Sequence, residues 1–428
     1  MTYDAEPRMW GYLKKGVGFG ARYEGVVVIA AKRTPFCRLC GPLGLLSATD
    51  LGIIASRAAI AQCGINPAEI DHIVYGNAGA SSGDAFFMPR HIGLYCNLPI
   101  ETPALMVQRI CSSGFEAILN GAEHIATGKA EVALTGGAEG LSQMPTAIFG
   151  NRLGYRLRDV RAVDYLWEAF LDTAVGYIMG ETAENLAEKY GITRQECDEY
   201  GLRSHTEALK AQKEGIFNDE ITPVEECTIE SRYFKPRKIK LYGKLKRVEQ
   251  DIGPRETSME KMAALPPVFR KNGVQTAGNS SQITDGAGTL ILASARWAAE
   301  RGIKPLARIV ASASAGVPPE IMGIGPVPAC RVALEAAGLK LDDMDFVEIN
   351  EAFAAQYLAV ERELELDRSR TNVHGGAIAL GHPYAATGAR LTMHLIYHLR
   401  RTGKRYGIAS ACIGGGQGTA VIVEAFHD

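Results

Sequence analysis

The chain has 428 residues, 46 basic and 48 acidic side chains, and a formal net charge of −2. That balance gives no global attraction to nucleic acid or to an anionic membrane, and no run reaches the ~18 apolar residues that span a bilayer. Nine cysteines, an odd number, argue for a reducing compartment rather than a disulfide framework, so the expected location is cytoplasmic.

Residues 1–23 are charged throughout and lack an apolar core segment, so they read as an extension and not as a secretory signal. The apolar run 25–31 predicts a strand buried on both faces. A helix follows over 48–63 and a second strand over 70–75. Residues 115–126 repeat apolar side chains at helical spacing, with Ser112, Ser113 and Gly114 at the entry. Val132-Ala133-Leu134-Thr135 reads as a strand that runs into a turn at Gly136-Gly137-Ala138-Glu139. Strands separated by helices imply a layered α/β sheet.

From about 144 to 267 the chain turns more polar, with helices over 182–190 and 194–214. This stretch reads as an insertion between two α/β halves. The second half resumes the rhythm with strands over 308–313, 345–349, 407–411 and 419–424 and helices over 328–337 and 386–401. Residues 64–74 and 338–348 share one pattern, a helix end, a polar turn and a buried strand, which suggests two similarly folded halves. The expected division is 1–23 as extension, 24–143 with 268–295 as the first half, 144–267 as the inserted domain, and 296–428 as the second half.

Four stretches are candidates for chemistry. Cys111 sits among small residues at a helix entry, where unpaired amides and the dipole favour thiolate; packing as a small hydrophobe is the plain alternative. Asn350-Glu351-Ala352-Phe353 ends a strand, where open α/β sheets place ligands. His382 stands between Gly381 and Pro383 after the glycine-rich run that begins at Gly375. Cys412 precedes Gly414-Gly415-Gly416, whose amides are free of side-chain shielding. Taken singly, each is also an ordinary turn or cap. The cysteine and histidine spacings match no zinc pattern, so no metal is expected.

Together, and in this order, Cys111-Ser112-Ser113-Gly114, Asn350-Glu351-Ala352-Phe353, Gly375 to Pro383 and Cys412-Ile413-Gly414-Gly415-Gly416 resemble the thiolases. Met179-Gly180-Glu181-Thr182 and Thr276-Ala277-Gly278-Asn279 also match stretches of that family. The resemblance covers roughly residues 24–425. It implies a five-layer α/β/α/β/α fold of two like halves with an inserted loop domain. It also implies CoA-dependent cleavage of 3-ketoacyl-CoA through an acyl-cysteine, with CoA and acyl-CoA as substrates and no permanently bound cofactor. Assembly as a homodimer or homotetramer is implied as well.

By the same resemblance Cys111 is the nucleophile, His382 its activating partner, and Cys412 the acid/base at the α-carbon. Asn350 positions a water for the enolate oxygen, and the amides of Cys111 and Gly414 hold the tetrahedral oxyanion. Ala277, Ser281 and Ile283 fall where the family lines its pantetheine tunnel; Met179, Met322, Ala352 and Phe353 fall around the acyl pocket. Gln108 stands where the family usually has Asn, and Ile178 where acetoacetyl-CoA-specific members have His. Synthesis of acetoacetyl-CoA from two acetyl-CoA is the alternative activity, and a catalytically silent acyl-CoA carrier of the same fold is another. A decarboxylating condensing enzyme would lack the second cysteine. Residues 232–247 hold eight cations and no acid, which suits either the phosphates of CoA or a solvated hairpin.

Overall fold

The computed structural model describes residues 5–155, 157 and 160–427. In its first part lie β1 (Arg8–Lys14), β2 (Gly18–Glu24), β3 (Val26–Arg33), α1 (Ala48–Cys63), β4 (His72–Gly76), β5 (Ala104–Val107), α2 (Ser113–Ala126) and β6 (Val132–Glu139). The middle carries α3 (Met179–Tyr190) and α4 (Arg194–Lys213). The remainder supplies β7 (Thr284–Ser294), β8 (Ala307–Gly316), α5 (Pro326–Ala337), β9 (Phe346–Ile349), α6 (Ala354–Leu364), α7 (Tyr384–Thr402), β10 (Tyr406–Ile413) and β11 (Gln417–Ala425).

Successive side chains of a strand point to opposite faces, and both faces here are apolar. In β3, Val27 and Ile29 join an outer core with α1, while Val26 and Val28 join a central one. In β11, Val421 and Val423 join the same central core, and Ala420 and Ile422 face a second outer core built on α5 and α6. The central core is filled by α2 and α7, through Phe115, Ile118, Leu391 and Leu395. Three cores between five layers follow: helix, sheet, paired helices, sheet, helix. Each large apolar side chain so buried contributes roughly 1.5–3 kcal/mol.

Along the strands the order is β9-β10-β11-β8-β3-β7-β6-β4-β5. The repeat seen at 64–74 and 338–348 recurs in three dimensions. Gly64 and Gly338 both end their helices at φ 68°. Asp71 accepts from the amides of Glu131 and Val132 at 2.8 and 3.0 Å. Asp345 does the same for Arg405 and Tyr406 at 2.8 and 3.0 Å. In both places the carboxylate ties a strand to its parallel neighbour, β4 to β6 and β9 to β10.

Three readings change. Residues 136–139 continue β6 instead of turning, because β6 needs glycine for closeness, not for a bend: a Cβ on Gly137 would lie 1.9 Å from the Ala385 carbonyl. Residues 284–294 form the longest strand among the described residues, β7, although Gly286 and Gly288 mask its pattern. Within the N-terminal extension, β1 and β2 form a hairpin whose second strand pairs with β8; residues 1–4 lie outside the described residues. Cys37 and Cys40 have CxxC spacing, and both thiols are free.

Residues 144–267 contribute α3, α4 and four short antiparallel strand pairs among the described residues. Arg33 of β3 anchors this segment. Fully buried, it donates to Glu220 at 2.9 and 3.0 Å and to Asp251 at 2.7 and 2.8 Å. Three of the eight cations in the basic stretch pair with acids outside it. Arg237 pairs with Asp50 and Asp84, Lys246 with Glu226, and Arg247 with Glu225 and Glu249. Among the described residues no helix is long and apolar enough to cross a membrane.

Candidate active site

Cys111 lies in a single 3-10 turn, Ile110–Ser112, that feeds directly into α2. Ile110 before it takes φ 46°, a left-handed conformation uncommon for a β-branched residue. Ser113 Oγ accepts from the Arg109 amide at 2.9 Å and donates to the Ile110 carbonyl at 2.7 Å, which holds that turn. Gln108 donates to the Ala78 carbonyl at 3.3 Å. Burial pushes the Cys111 thiol up to about 12, against the pull of the Gly414 amide and its own. The helix entry was expected to favour thiolate; desolvation outweighs the pull of these amides.

α2 meets α7 at very short range, and this brings the nucleophile to the histidine. A Cβ on Gly114 would stand 2.2 Å from the Ala385 carbonyl, and one on Gly388 2.3 Å from the Phe115 nitrogen. His382 lies just before Pro383, the residue that caps α7. Its amide donates to the Gln282 carbonyl at 3.1 Å and to Thr284 Oγ1 at 3.2 Å.

The hydrogen-bond network defines the His382 tautomer. Thr387 Oγ1 donates to the Pro383 carbonyl at 3.1 Å, so it accepts from Nδ1–H at 2.6 Å. Nε2 is then the basic nitrogen, and Asn350 Nδ2 donates to it at 3.3 Å. Burial, with Arg390 nearby, pushes His382 down to about 3, so the ring is neutral. Asn350 Oδ1 is buried and finds no partner among the described residues.

Glu351 gathers the surrounding segments. It accepts from Tyr200 Oη at 2.8 Å, Ser204 Oγ at 2.6 Å, Asn372 Nδ2 at 3.1 Å and the Ile378 amide at 3.2 Å. One carboxylate thus binds α4 and the glycine-rich run to the strand end that carries Asn350. The sequence reading gave Glu351 no role; its place inside the Asn350–Phe353 motif was the available signal. Thr387 was also missed, five residues beyond His382.

Cys412 closes β10 and is buried against Met322 and Ala352. Burial first, and Cys111 second, push its thiol up. Gly415 and Gly416 then turn the chain at φ 82° and 86°, which leaves the Gly414 amide free to point at Cys111.

These residues converge on one cavity of about 530 Å³. Cys111, His382, Cys412 and Gly414 line it, as do Ala277, Ser281, Ile283, Met179, Met322, Ala352 and Phe353. Asn350 is placed behind His382 and does not line it. Ile178, singled out from the sequence as standing in place of His, lines it too, and Trp167, Phe170, Phe269 and Tyr384 add walls that sequence reasoning did not assign. No residue of 232–247 is among the lining residues. No group of three or more His, Cys, Asp or Glu among the described residues is arranged to hold a metal.

The buried neutral histidines predict an acid-labile fold. Burial depresses His205 to about 4, His374 to about 2, His382 to about 3 and His398 to about 3. Each lies below its unfolded value of about 6.5, so stability is complete above pH 6.5. It falls by up to about 1.4 kcal/mol per group and pH unit as acid is added toward the folded values. Glu139 and Asp285, raised by burial to about 7 and about 6, act in the opposite sense, as do Glu123 and Glu348, also raised by burial, but the depressed histidines, His72 among them, outnumber them. The melting temperature should therefore be lower at pH 5 than at pH 7, and equal values would refute the assignment.

The layered fold, with Cys111, His382 and Cys412 on one cavity, is that of an α/β acyltransferase. The thiolase N-terminal domain family matches residues 26–296 and the thiolase C-terminal domain family residues 303–425; the chain belongs to the thiolase family. Human mitochondrial 3-ketoacyl-CoA thiolase is 48% identical over 406 residues, covering 95% of this chain and 99% of that protein. An acetyl-CoA acetyltransferase of Pseudomonas aeruginosa is 42% identical, covering 93% and 98%. The crystal structure of the human enzyme in complex with CoA superposes with a TM-score of 0.89 at 47% identity, covering 94% of this chain and 98% of that one. The cytoplasmic expectation is corrected by these comparisons, because the 3-ketoacyl-CoA thiolase relatives from human and Bos taurus are mitochondrial. Free thiols are equally at home in any reducing compartment, so the cysteine count could not discriminate.

Proposed function

We propose that the chain is a 3-ketoacyl-CoA thiolase acting in fatty-acid breakdown, and that its site of action is mitochondrial. The observation that carries this reading is the convergence of two thiols and a neutral histidine on one cavity, with the Gly414 amide at the Cys111 sulfur. Cys111 passes its proton to His382 Nε2 and attacks the 3-keto carbon. The shifts at Cys111 and His382 reflect the cost of burying either charge alone; thiolate and imidazolium form together, and their attraction offsets it. The amides of Cys111 and Gly414 hold the oxyanion. As it collapses, the bond between C2 and C3 breaks.

The departing enolate, its oxygen held by His382 and a water on Asn350, takes the Cys412 proton and leaves as acetyl-CoA. Cys412 then removes the proton from incoming CoA, whose sulfur takes the acyl group as the Cys111 sulfur leaves and recovers its proton from His382. Ala277, Ser281 and Ile283 line the arm of CoA, and Met179, Met322, Ala352 and Phe353 the acyl chain. The enzyme works as a homodimer or homotetramer, a reading supported by β5, which ends the sheet with one edge unpaired and Leu105 exposed.

Acetoacetyl-CoA synthesis is the second reading, favoured by the acetyl-CoA acetyltransferase relatives. Chain length separates the two. Ile178, Phe170 and Leu171 line the cavity with Met179, and each methylene buried there is worth about 0.8 kcal/mol, roughly fourfold in kcat/KM. Eight-carbon 3-ketoacyl-CoA should be cleaved at least as efficiently as acetoacetyl-CoA, followed by loss of 3-ketoacyl-CoA absorbance with CoA present. A strict preference for four carbons would favour the second reading.

A further inference from the structure

Glu139 is the last residue of β6, is fully buried, and takes no part in the proton transfers. Three hydrogen bonds reach its carboxylate from one loop: the Ala78 amide at 2.7 Å, the Gly79 amide at 3.1 Å and Asn77 Nδ2 at 3.0 Å. A fourth comes from the Ala385 amide at 3.2 Å, in the first turn of α7. Every one of these partners is a donor, so the ionised carboxylate is the form that fits, although burial raises it to about 7.

Each side of this bridge leads to a reacting residue. Loop 77–79 is tied to the segment before Cys111: the Asn77 amide donates to the Val107 carbonyl at 3.4 Å, and Gln108 Nε2 to that of Ala78 at 3.3 Å. Ala385 stands three residues after His382. Its carbonyl lies where a Cβ on Gly114 or Gly137 would meet it at 2.2 or 1.9 Å, so Glu139 holds the amide of a residue whose carbonyl presses on the start of α2. We propose that Glu139 is a positioning residue: one carboxylate locks the Cys111 segment and the turn that carries His382 into a single arrangement, in which the thiol hands its proton to Nε2. The proposal rests on the roles of those two residues under Proposed function. Glu139 does not line the cavity, so it acts through them. Titratable groups facing it are Cys111, Tyr384 and Asp285.

The test is Glu139→Gln in the full-length enzyme, which keeps the shape of the side chain but turns one acceptor into a donor that faces donors. Alkylation of Cys111 by iodoacetamide is followed by mass spectrometry of its peptide, from mildly acid to alkaline pH. Acylation by a 3-ketoacyl-CoA is followed in a single turnover by rapid quench. Misalignment leaves the thiol without its base, so the alkylation profile should move to higher pH. Acylation should slow by about tenfold to a hundredfold, with the KM for CoA unchanged. Loss of the nearby negative charge would by itself favour thiolate and move the profile lower. A purely structural role would lower the melting temperature and leave the profile in place. Either of these results would overturn the proposal. Gln108→Ala cuts the same bridge at its exposed end, leaves Glu139 paired, and decides the matter if the Glu139 variant does not fold. It should slow acylation by about threefold to tenfold at an unchanged melting temperature. Wild-type acylation in either variant would overturn the proposal. If wild type itself carries no acyl group on Cys111, the failure belongs to the mechanism under Proposed function, and the role of Glu139 falls with it.

Discussion

Cys111→Ala should lower thiolysis by about 10⁴-fold or more while leaving the fold in place. The size of the effect follows from what the sulfur does. Without it there is no acyl-enzyme, and a one-step exchange between two thioesters has neither the covalent intermediate nor the oriented nucleophile. The fold should survive because the 3-10 turn at Ile110–Ser112 is held by Ser113 and the backbone, not by the thiol. The melting temperature should therefore lie close to that of wild type. In wild type, a 3-ketoacyl-CoA offered without CoA should leave its acyl group on the peptide containing Cys111. Mass spectrometry that places the label on another cysteine would reassign the nucleophile.

Cys412→Ser separates the two thiols. The variant should still acylate at Cys111, because the Gly414 amide and His382 are untouched. Exchange of α-deuterium from labelled acetyl-CoA should fall by about 10²–10⁴-fold, the range expected on losing a general acid–base. A serine hydroxyl occupies nearly the same space but ionises far less readily than a thiol. Wild-type exchange in this variant would show that another group moves the α-proton. His382 would be the group to examine, as the other titratable side chain named in the proton transfers that lines the cavity.

Both experiments depend on residues that could be named before any coordinates. Cys111, His382 and Cys412 each sit in a local pattern that restricts backbone and side chain together: small residues at a helix entry, histidine between glycine and proline, cysteine before three glycines. Most strands and helices of the two halves were legible for a similar reason, since continuous apolar runs and helical periodicity are local properties. The central strand β7 was not, because Gly286 and Gly288 interrupt its apolar run. The reason for Gly288 lies elsewhere in the chain: a Cβ there would press at 3.0 Å on that of Ala389 in α7.

The basic stretch shows the limit from the other side. Eight cations without an acid within 16 residues read as unpaired charge along the chain, yet three of them have acidic partners in space. In space Arg237 meets Asp50 and Asp84, and Lys246 and Arg247 meet Glu226, Glu225 and Glu249. Counting charge by sequence neighbours misses partners brought in from nearly 190 residues away.

By itself the amino-acid sequence determined the α/β class, the two repeated halves, the family and the order of its motifs, because each is written in spacing and local residue choice. Only the tertiary structure decided the protonation states and contacts within the cavity. Burial outweighs the pull of the backbone amides at Cys111, Thr387 sets the His382 tautomer, and Glu351 joins three distant segments. Desolvation and hydrogen bonding depend on what surrounds a group in three dimensions, and no local pattern contains that information.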